Sequence, residues 1–263
     1  MPLCFKENMD KNSKNALLFY KEYEAFYKMA SKSPCFSEYC RRAFGEDFSQ
    51  DGFSDSREIG IALNTVKLNG NSRTLDIGCG NGKMAKYIQQ KTGAFACGFD
   101  FSKNAIKAAG QGPNTEFKVG VIGETEYPVE SFDLITSMDT MYFAPDMKAF
   151  AKQLYGWLKP GGVFFCGYEE GDVMPISGGI DESVLAKALS SLGIEYTGLD
   201  YTAETYAVMK KKRAAILSMK KEFKWHRLWF NMVISQTQCA ELPFEEFKKS
   251  NRRYLYTVHK QYG

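Results

Sequence analysis

The chain has 263 residues, of which 44% are hydrophobic, and its formal net charge is +3 at pH 7. This length can bury one sizeable core, so we expect one domain with a small lid rather than two independent domains. The small positive charge argues against a strongly basic nucleic-acid-binding protein, and no nucleic-acid partner is expected. No apolar run has the length of a signal peptide or a membrane span, which predicts a cytoplasmic protein without membrane contact.

The seven cysteines are odd in number and scattered along the chain. Only Cys35 and Cys40 lie close together, so the pattern favours free thiols over a disulfide framework or a zinc site. We therefore expect no bound metal. A basic run at residues 210–213 lies on a predicted helix among apolar residues, and a solvated helix face is its simpler interpretation.

The first 70 residues are predicted to form a helical extension that precedes a domain at residues 71–263. Its first helix is expected to start near Ser13 or Asn15. A stripe at three- and four-residue spacing supports this helix: Ala16, Phe19, Tyr20, Tyr23, Tyr27 and Ala30. Two shorter helices are predicted over residues 36–44 and 55–67.

A strand followed by a glycine-rich loop stands immediately after this extension. Leu75 and Ile77 flank Asp76, as expected near the end of a short buried parallel strand. Glycines then occupy alternate positions, where they permit a tight turn and let backbone N–H groups approach a ligand: Gly78, Gly80 and Gly82. The sequence therefore predicts a binding site for a small polar cofactor at this loop.

The spacing of the loop argues against a nicotinamide dinucleotide. In the dinucleotide fingerprint the third glycine, which serves helix packing, would stand at position 83, where this chain has Lys83 directly after Gly82. Asp76 would repel a pyrophosphate but can face an ammonium group. We therefore expect a cofactor that carries an amine.

Residues 75–82 closely resemble the first motif of class I S-adenosylmethionine-dependent methyltransferases. The resemblance implies S-adenosyl-L-methionine as the cofactor and S-adenosyl-L-homocysteine as its product. It places the cofactor against the residues of the loop: Asp76, Gly78, Cys79, Gly80 and Gly82. In this family N-terminal helices lie over the cofactor, so the extension is predicted to be a lid, while simple packing of its tyrosines on the sheet is the alternative.

A second strand, residues 94–99, ends in an acid. Asp100 follows the first motif by some two dozen residues, where a carboxylate can accept two hydrogen bonds from a ribose diol. Ser102 is expected to cap the next helix, and Phe101 can lie against the adenine. The same resemblance implies both the ribose and the adenine assignments.

A third strand is predicted over residues 116–122, and the loop after it departs from the family pattern. The family commonly has an acid here that bonds the adenine amino group, but the alignment places Gly123 at that position. Glu124 is the predicted substitute. In the alternative interpretation, Glu124 and Glu126 only solvate a turn.

The fourth strand, residues 132–138, leads into the predicted reaction centre. In the family the end of this strand supplies backbone contacts to the methionine part of the cofactor, which implicates Met138, and side chains that face the methyl group, which implicates Asp139 and Tyr142. A helix at residues 146–158, a turn at 159–162 and a strand at 163–168 complete the resemblance. It covers about residues 73 to 168.

The remaining chain predicts an insertion before the last strand. A helix at residues 181–192 and a sixth strand at 193–199 precede helical patterns that define an insertion at about residues 202–242. Residues 252–259 alternate as a strand, which the fold implies is antiparallel. The predicted fold is thus α/β and Rossmann-like, a seven-stranded, mostly parallel sheet with an antiparallel last strand, helices on both faces, a helical lid and a helical insertion.

The acceptor chemistry is inferred from the side chains near the predicted methyl group. Asp139, Tyr142 and Tyr20 can orient a neutral amine by hydrogen bonds. A phenol or alcohol acceptor normally requires a general base to remove its proton. His226 in the insertion is the candidate, although a lone histidine is more often structural. The predicted function is therefore methyl transfer to a small molecule, with an amine nitrogen weakly favoured.

Three alternatives stay open at this point. They are an O-methyltransferase, a nucleic-acid or protein methyltransferase, and a module that binds the cofactor without catalysis. The identity of the acceptor is left open, and so is the oligomeric state, with a homodimer among the options.

Overall fold

The computed structural model describes residues 19–49 and 51–262. Within these residues, seven strands form one sheet in the order β3-β2-β1-β4-β5-β7-β6. The strands are β1 Arg73–Ile77, β2 Phe95–Asp100, β3 Thr115–Val119, β4 Phe132–Met138, β5 Leu158–Glu170, β6 Thr197–Asp200 and β7 Arg252–His259. β7 pairs antiparallel with β5 and with β6, and the other pairs are parallel. The predicted Rossmann-like sheet is confirmed.

The central strands are covered on both faces, which explains their nearly continuous apolar sequences. Leu75, Ile77, Leu134 and Ile135 are fully buried. In the parallel register, Asp76 of β1 lies beside Thr136 of β4. Because parallel strands end at the same edge of the sheet, the residues that follow β1, β2, β4 and β5 lie close to one another.

The helices begin where the sequence supplies a capping side chain. At the starts of five helices, a side-chain oxygen accepts a hydrogen bond from a backbone N–H of the first turn. These capping residues are Ser33, Asp55, Ser102, Asp146 and Ser183. The α-helices of the described residues are α1 Tyr20–Ala30, α2 Pro34–Phe44, α3 Ser56–Asn64, α4 Lys83–Thr92, α5 Lys103–Ala109, α6 Met147–Trp157, α7 Val184–Ser191, α8 Thr202–Ser218, α9 Arg227–Gln236 and α10 Phe244–Ser250. None of these helices is long and apolar enough to cross a membrane.

Several predicted boundaries differ from the structure. The predicted start of the first helix, with Ala16, lies outside the described residues, and α1 is described from Tyr20 onward. α2 begins two residues before its predicted start because Pro34 is well placed in a first turn, where its missing N–H costs nothing. α10 was not predicted, so helical structure in the insertion continues to Ser250.

The strands at the sheet's margins also differ from prediction. β3 ends at Val119, and β6 starts only at Thr197. β5 begins at Leu158, because the predicted turn is a bulge within the strand: Phe132 pairs with Leu158, and the next pair of that register is Leu134 with Val163. Periodicity alone does not distinguish such a bulge from a turn between two elements.

The N-terminal helices and the insertion pack against each other. Phe26 of α1 and Tyr39 of α2 lie in one buried cluster with Ile216 of α8 and Phe223. The rings of Phe26 and Trp229 are 5.5 Å apart, and those of Tyr39 and Phe223 are 6.3 Å apart. The two helical regions therefore form one layer beside the carboxyl edge of the sheet. The predicted lid at residues 1–70 and the predicted insertion at about residues 202–242 stay predictions.

Candidate functional site

The glycine loop leaves β1 in left-handed backbone conformations. Gly78, Gly80 and Gly82 have φ angles of 69°, 53° and 70°, a region that residues with a Cβ atom seldom adopt. A Cβ atom on Gly80 would also overlap the hydroxyl of Tyr27, and one on Gly78 would overlap Thr140. Close approach as well as backbone conformation therefore requires glycine here.

Asp100 at the end of β2 joins the loop to the next strand. Its Oδ2 accepts a hydrogen bond from the backbone N–H of Gly80 at 2.9 Å, and its Oδ1 accepts one from that of Ser102 at 2.8 Å. The side chain is buried, and this burial raises its pKa to about 6. Each carboxylate oxygen keeps a second lone pair, so Asp100 can still accept bonds from a ligand.

Asp76 at the end of β1 is only half satisfied. Its Oδ1 accepts a hydrogen bond from Thr136 Oγ1 at 2.9 Å, whereas Oδ2 has no hydrogen-bond partner among the described residues. The residue is 2% exposed, and this burial raises its pKa to about 7; the hydrogen bond from Thr136 lowers the pKa, and the charge of Asp100 adds a smaller increase. A buried, unpartnered carboxylate oxygen is costly unless a ligand donates to it.

Helix α1 lies over the end of β2. Glu24 accepts hydrogen bonds from Ser102 Oγ at 2.5 Å and from the backbone N–H of Asn104 at 3.0 Å. The ring of Phe101 lies 5.5 Å from that of Tyr20 and 5.8 Å from that of Tyr23. α1 thus covers the position that the sequence analysis assigned to the adenine, although that assignment stays a prediction.

A chain of aromatic rings connects two of the predicted catalytic tyrosines. Phe101 contacts Phe143 with ring centres 6.4 Å apart, and Phe143 contacts Tyr142 at 4.9 Å. Tyr142 is buried at the end of β4, where burial and then the charge of Asp139 raise its pKa. Tyr20 and Tyr142 therefore lie at opposite ends of one apolar wall beside Asp100.

Asp139 is engaged inside the protein. Its backbone φ is 58°. Oδ2 accepts from the backbone N–H of Phe53 at 3.0 Å, and Oδ1 accepts from Arg253 Nη2 at 2.9 Å. The carboxylate thus links the loop before α3 to β7. Contact between Asp139 and the acceptor stays a prediction.

Arg253 is the centre of this network, and its role was not predicted from the sequence. Its side chain is fully buried, forms an ion pair with Glu58 of α3 and donates to Ser54 Oγ at 3.1 Å. Glu58 is fully buried as well. The sequence feature that could have indicated this ion pair is Glu58, an acid next to Ile59 on the buried side of α3, since a buried acid needs a cationic partner.

The loop after β3 holds the other predicted adenine contacts. Gly123 has a φ of 86° in an exposed turn, and the backbone N–H of Glu124 donates to Val121 at 3.1 Å. Glu124 is exposed, while Glu126 accepts from Gln153 Nε2 at 2.7 Å. This geometry fits a solvated turn, and the adenine contact of Glu124 stays a prediction.

Comparison with known proteins places this geometry in a family. Residues 75–166, from β1 into β5, match the family described as "Methyltransferase domain". This part of the chain is therefore similar to a methyltransferase domain. The matched segment contains the whole glycine loop, Asp100 and Asp139, so the methyltransferase resemblance of this segment is confirmed.

The curated relatives match slightly less than half of this chain. "Phosphoethanolamine N-methyltransferase 3" of Arabidopsis thaliana is 35% identical over 127 residues, which are 46% of this chain and 25% of that protein. "Phosphoethanolamine N-methyltransferase" of Plasmodium falciparum is 35% identical over 126 residues, 45% of this chain and 46% of that protein. The chain thus aligns with between a quarter and a half of the length of these relatives.

A solved structure extends the similarity of fold to nearly the whole chain. It is phosphoethanolamine N-methyltransferase 2 of Haemonchus contortus, in complex with phosphomonomethylethanolamine and S-adenosylhomocysteine. It has a TM-score of 0.72 and 16% sequence identity, and covers 92% of this chain and 60% of that chain. At this identity the comparison supports the fold, including the helices outside the family match.

Met138 and Cys79 are two further residues of the predicted cofactor site. Met138 is half-buried at the end of β4 and packs with Leu134 and Phe165, so its cofactor contact stays a prediction. Cys79 is buried in the glycine loop, and burial raises the pKa of its thiol. A protonated, buried thiol is inert and fits a small packing residue of the loop, and the predicted contact between Cys79 and the cofactor stays a prediction.

His226 is not brought to the glycine loop by any described contact. It lies half-buried in a 3-10 helix, Glu222–His226, beside Trp225, which is 82% exposed. None of the hydrogen bonds of the described residues includes its imidazole. Its predicted role as a base stays a prediction without structural support.

Lys212 departs from the solvated face predicted for the run at residues 210–213. It is 3% exposed, and its Nζ donates to the carbonyl of Gly52 at 3.1 Å. The ammonium lies 5.6 Å from the ring centre of Phe44 and 5.2 Å from that of Phe53. Only part of the run therefore faces water, because one lysine of α8 points into the layer beneath.

Proposed function

We propose that the chain transfers a methyl group from S-adenosyl-L-methionine to an amine nitrogen of a small molecule. The observation that carries the cofactor assignment is the unpartnered Oδ2 of Asp76, buried beside a glycine loop. An ammonium group satisfies that oxygen and compensates its charge. Asp100, whose Oδ2 accepts from the loop at Gly80, completes the pair of acids.

The residues present fit this cofactor. Asp76 would hold its ammonium, Asp100 would accept from its ribose hydroxyls, and the backbone of the loop from Gly78 to Gly82 would contact its amino-acid part. When bound, the cofactor supplies an activated methyl group. The protein therefore needs no covalent intermediate of its own and acts through alignment and exclusion of water.

The acceptor is proposed to be a small molecule because α1 and the insertion close the carboxyl edge of the sheet. Tyr23 of α1 is half-buried near this edge: loss of solvent around its hydroxyl raises its pKa first, and then the charges of Asp51, Asp100 and Asp139. Aromatic walls also favour an acceptor that is or becomes cationic. Relatives named as phosphoethanolamine N-methyltransferases support nitrogen as the methylated atom.

Some predictions about the whole protein remain proposals from the sequence. They are the cytoplasmic location, a homodimer as one option for the oligomeric state, and action on a small molecule without nucleic acid. The boundaries of the lid, residues 1–70, and of the insertion, about residues 202–242, belong with them.

Calorimetric titration with S-adenosyl-L-homocysteine tests the proposed function first. We expect binding by the wild-type chain and a loss of roughly tenfold or more in Asp76→Asn, which removes the charge that faces the ammonium. Asp133→Asn is the matched control, because Asp133 lies at the opposite end of β4 and accepts from Lys159 at 2.7 Å. Wild-type protein that does not bind this nucleoside would overturn the proposal.

Turnover is tested by release of S-adenosyl-L-homocysteine in the presence of small amines, with mass spectrometry of the product. We expect the added mass on a nitrogen atom. A product methylated on oxygen would instead favour the alternative O-methyltransferase.

A further inference from the structure

Residues 220–228, which we call the basic turn, expose large apolar side chains to solvent. Trp225 and Leu228 are 82% and 76% exposed. They stand three residues apart where the 3-10 helix Glu222–His226 leads into α9, and this spacing puts both side chains on one side. Single exposed apolar residues are normal on protein surfaces, whereas neighbouring ones of this size mark a surface that contacts a partner.

The opposite side of the basic turn is packed against the N-terminal helices. Phe223 is 1% exposed, and its ring lies 6.3 Å from that of Tyr39 in α2. Trp229, directly after the basic turn, lies 5.5 Å from Phe26 of α1. The segment therefore has one apolar side buried in the helical layer and a second apolar side that no described residue covers.

The basic turn also concentrates positive charge. It contains one acid, Glu222, and four cations, Lys220, Lys221, Lys224 and Arg227. The four cations are exposed, and none of them forms an ion pair among the described residues. Their excess over the acid equals the net charge of the whole chain, +3, so the rest of the chain is neutral overall. A partner of this surface should therefore be anionic.

Cationic and apolar side chains of the basic turn lie side by side. Lys224 Nζ is 5.1 Å from the ring centre of Trp225. Lys221, Lys224 and Arg227 recur at three-residue spacing, in a row next to that of Trp225 and Leu228. This arrangement fits an anionic lipid surface, where apolar side chains enter the boundary between headgroups and acyl chains while cations stay at the phosphates.

We propose that the basic turn docks on the surface of an anionic lipid bilayer. This inference goes beyond the proposed methyl transfer and does not depend on it. Two other partners fit these residues less well. Lysine is depleted in protein–protein interfaces. Proteins that bind single-stranded nucleic acid stack successive bases on several aromatic side chains, whereas the basic turn exposes one large aromatic ring.

The proposal departs from the predicted absence of membrane contact. That prediction rested on the lack of a long apolar run, which a spanning helix needs and a surface contact does not. Because the basic turn packs on α1 and α2, docking brings the helical layer beside the carboxyl edge of the sheet close to the lipid.

Sedimentation of the full chain with lipid vesicles tests the proposal. We expect binding to vesicles in which about a third of the lipid is phosphatidylserine, and roughly tenfold or more weaker binding to phosphatidylcholine alone. Raising the salt concentration from about 50 mM to about 500 mM should weaken binding to the anionic vesicles, because salt screens the charges.

Two variants separate the apolar part of the contact from the electrostatic part. Trp225→Ala and the double variant Lys221→Ala/Lys224→Ala should each weaken binding to the anionic vesicles roughly tenfold or more. Tryptophan fluorescence of the wild type should shift to shorter wavelength on binding, as the exposed ring of Trp225 leaves water. Trp225→Ala should lose this shift.

Two matched controls change similar side chains elsewhere on the protein. Tyr262→Ala removes an aromatic ring that is 81% exposed and lies close to Gly161, near the start of β5. Lys148→Ala/Lys152→Ala removes two exposed lysines of α6 that form no ion pair among the described residues. Both controls should bind vesicles as the wild type does. All of these variants should keep the urea midpoint of the wild type, since they change exposed side chains.

Four results would overturn the inference. Three of them are no binding to the anionic vesicles, equal binding to both kinds of vesicle, and equal binding by the variants and their controls. The fourth is binding of a fluorescent oligouridine, lost in Lys221→Ala/Lys224→Ala, by a chain that does not bind vesicles. That result would assign the basic turn to single-stranded nucleic acid instead.

Discussion

The glycine loop and the network around Arg253 lie at the same edge of the sheet but are built differently. The loop is a short contiguous segment tied to the end of β2: the backbone N–H groups of Gly78 and Cys79 donate to the Phe99 carbonyl, and that of Gly80 donates to Asp100. Arg253 reaches Asp139 and Glu58 across 114 and 195 residues. Local backbone geometry forms the first region, and tertiary packing of buried charges forms the second.

The two regions also differ in what stabilises them. At the loop, the left-handed backbone conformation and the close approach of neighbouring groups leave no room for side chains. Its function therefore depends on glycines, which have no Cβ atom. At the network, three fully or nearly buried charged side chains depend on one another, and removal of one leaves the others uncompensated. Substitutions should therefore affect ligand affinity most in the loop and stability most in the network.

Removal of the central charge should give the largest effect on stability. Arg253→Ala leaves Glu58 and Asp139 buried without their cation, which should lower the free energy of unfolding by about 3–5 kcal/mol. Urea denaturation measures this change. Arg252→Ala is the control, because Arg252 forms no ion pair among the described residues; equal losses in the two variants would refute the proposed importance of the network.

Adding one methyl group to the loop should mainly affect ligand binding. Gly80→Ala combines a strained φ with an overlap on the Tyr27 hydroxyl, so we expect affinity for S-adenosyl-L-homocysteine to fall at least tenfold. Gly60→Ala is the control, because its new Cβ meets no atom within 4 Å and lies within helix α3. That change should raise stability by up to about 1 kcal/mol. Unchanged affinity in Gly80→Ala would show that the loop can move aside.

The same contrast decides what could be predicted from the sequence. Asp76, the alternating glycines and Asp100 could be identified because each acts at the end of a strand, within a motif of fixed spacing. The cap of α5 by Ser102 was predicted for the same reason, since capping depends on neighbouring residues. Arg253 and Glu58 could not be found in this way, because their ion pair depends on contacts between distant segments.

Asp139 shows the limit of reasoning from a motif. Its place after β4 was predicted correctly, but the direction of its carboxylate depends on the loop at Phe53 and on Arg253. The bulge in β5 and the unpredicted helix α10 likewise depend on contacts with remote segments. Pairing and packing with remote segments select these local structures over alternatives that the sequence permits equally well.

Asp100→Ala should reduce affinity for S-adenosyl-L-homocysteine by about 1–3 kcal/mol, as its charge-assisted hydrogen bonds are lost. Part of this loss is expected to come from the loop itself, since Asp100 Oδ2 accepts from Gly80. Calorimetry should therefore be accompanied by a measurement of stability. An affinity equal to that of the wild type would count against the ribose assignment.

The pH dependence of binding should identify Asp76. Its pKa of about 7 lies above the ordinary value, so the free protein holds a proton on Asp76 below pH 7, whereas an ammonium ligand requires the carboxylate. Binding then releases a proton, and affinity should rise up to about tenfold per pH unit until about pH 7 and level off above it. Asp76→Asn should abolish this rise, and a flat wild-type profile between pH 5 and 7 would contradict the assignment.

The same proton affects the stability of the free protein with the opposite sign. Between the ordinary carboxyl pKa and pH 7, the folded chain binds the Asp76 proton and the unfolded chain does not. The free energy of unfolding should therefore fall as pH rises through this range, and less so in Asp76→Asn. A stability that instead rises because of Asp76 would mean that its second oxygen has a partner in the folded chain.

The smallest effect is expected at His226, which belongs to neither region. Its imidazole has no hydrogen bond among the described residues, and its neighbour Trp225 is largely exposed. His226→Ala should therefore change stability by less than about 0.5 kcal/mol and turnover by less than about twofold. A large loss of turnover, with unchanged affinity for S-adenosyl-L-homocysteine, would restore His226 as the base that an oxygen acceptor needs. That result would mean that the insertion approaches the acceptor during the reaction, and that a catalytic group can come from the part of the chain that the motif does not cover.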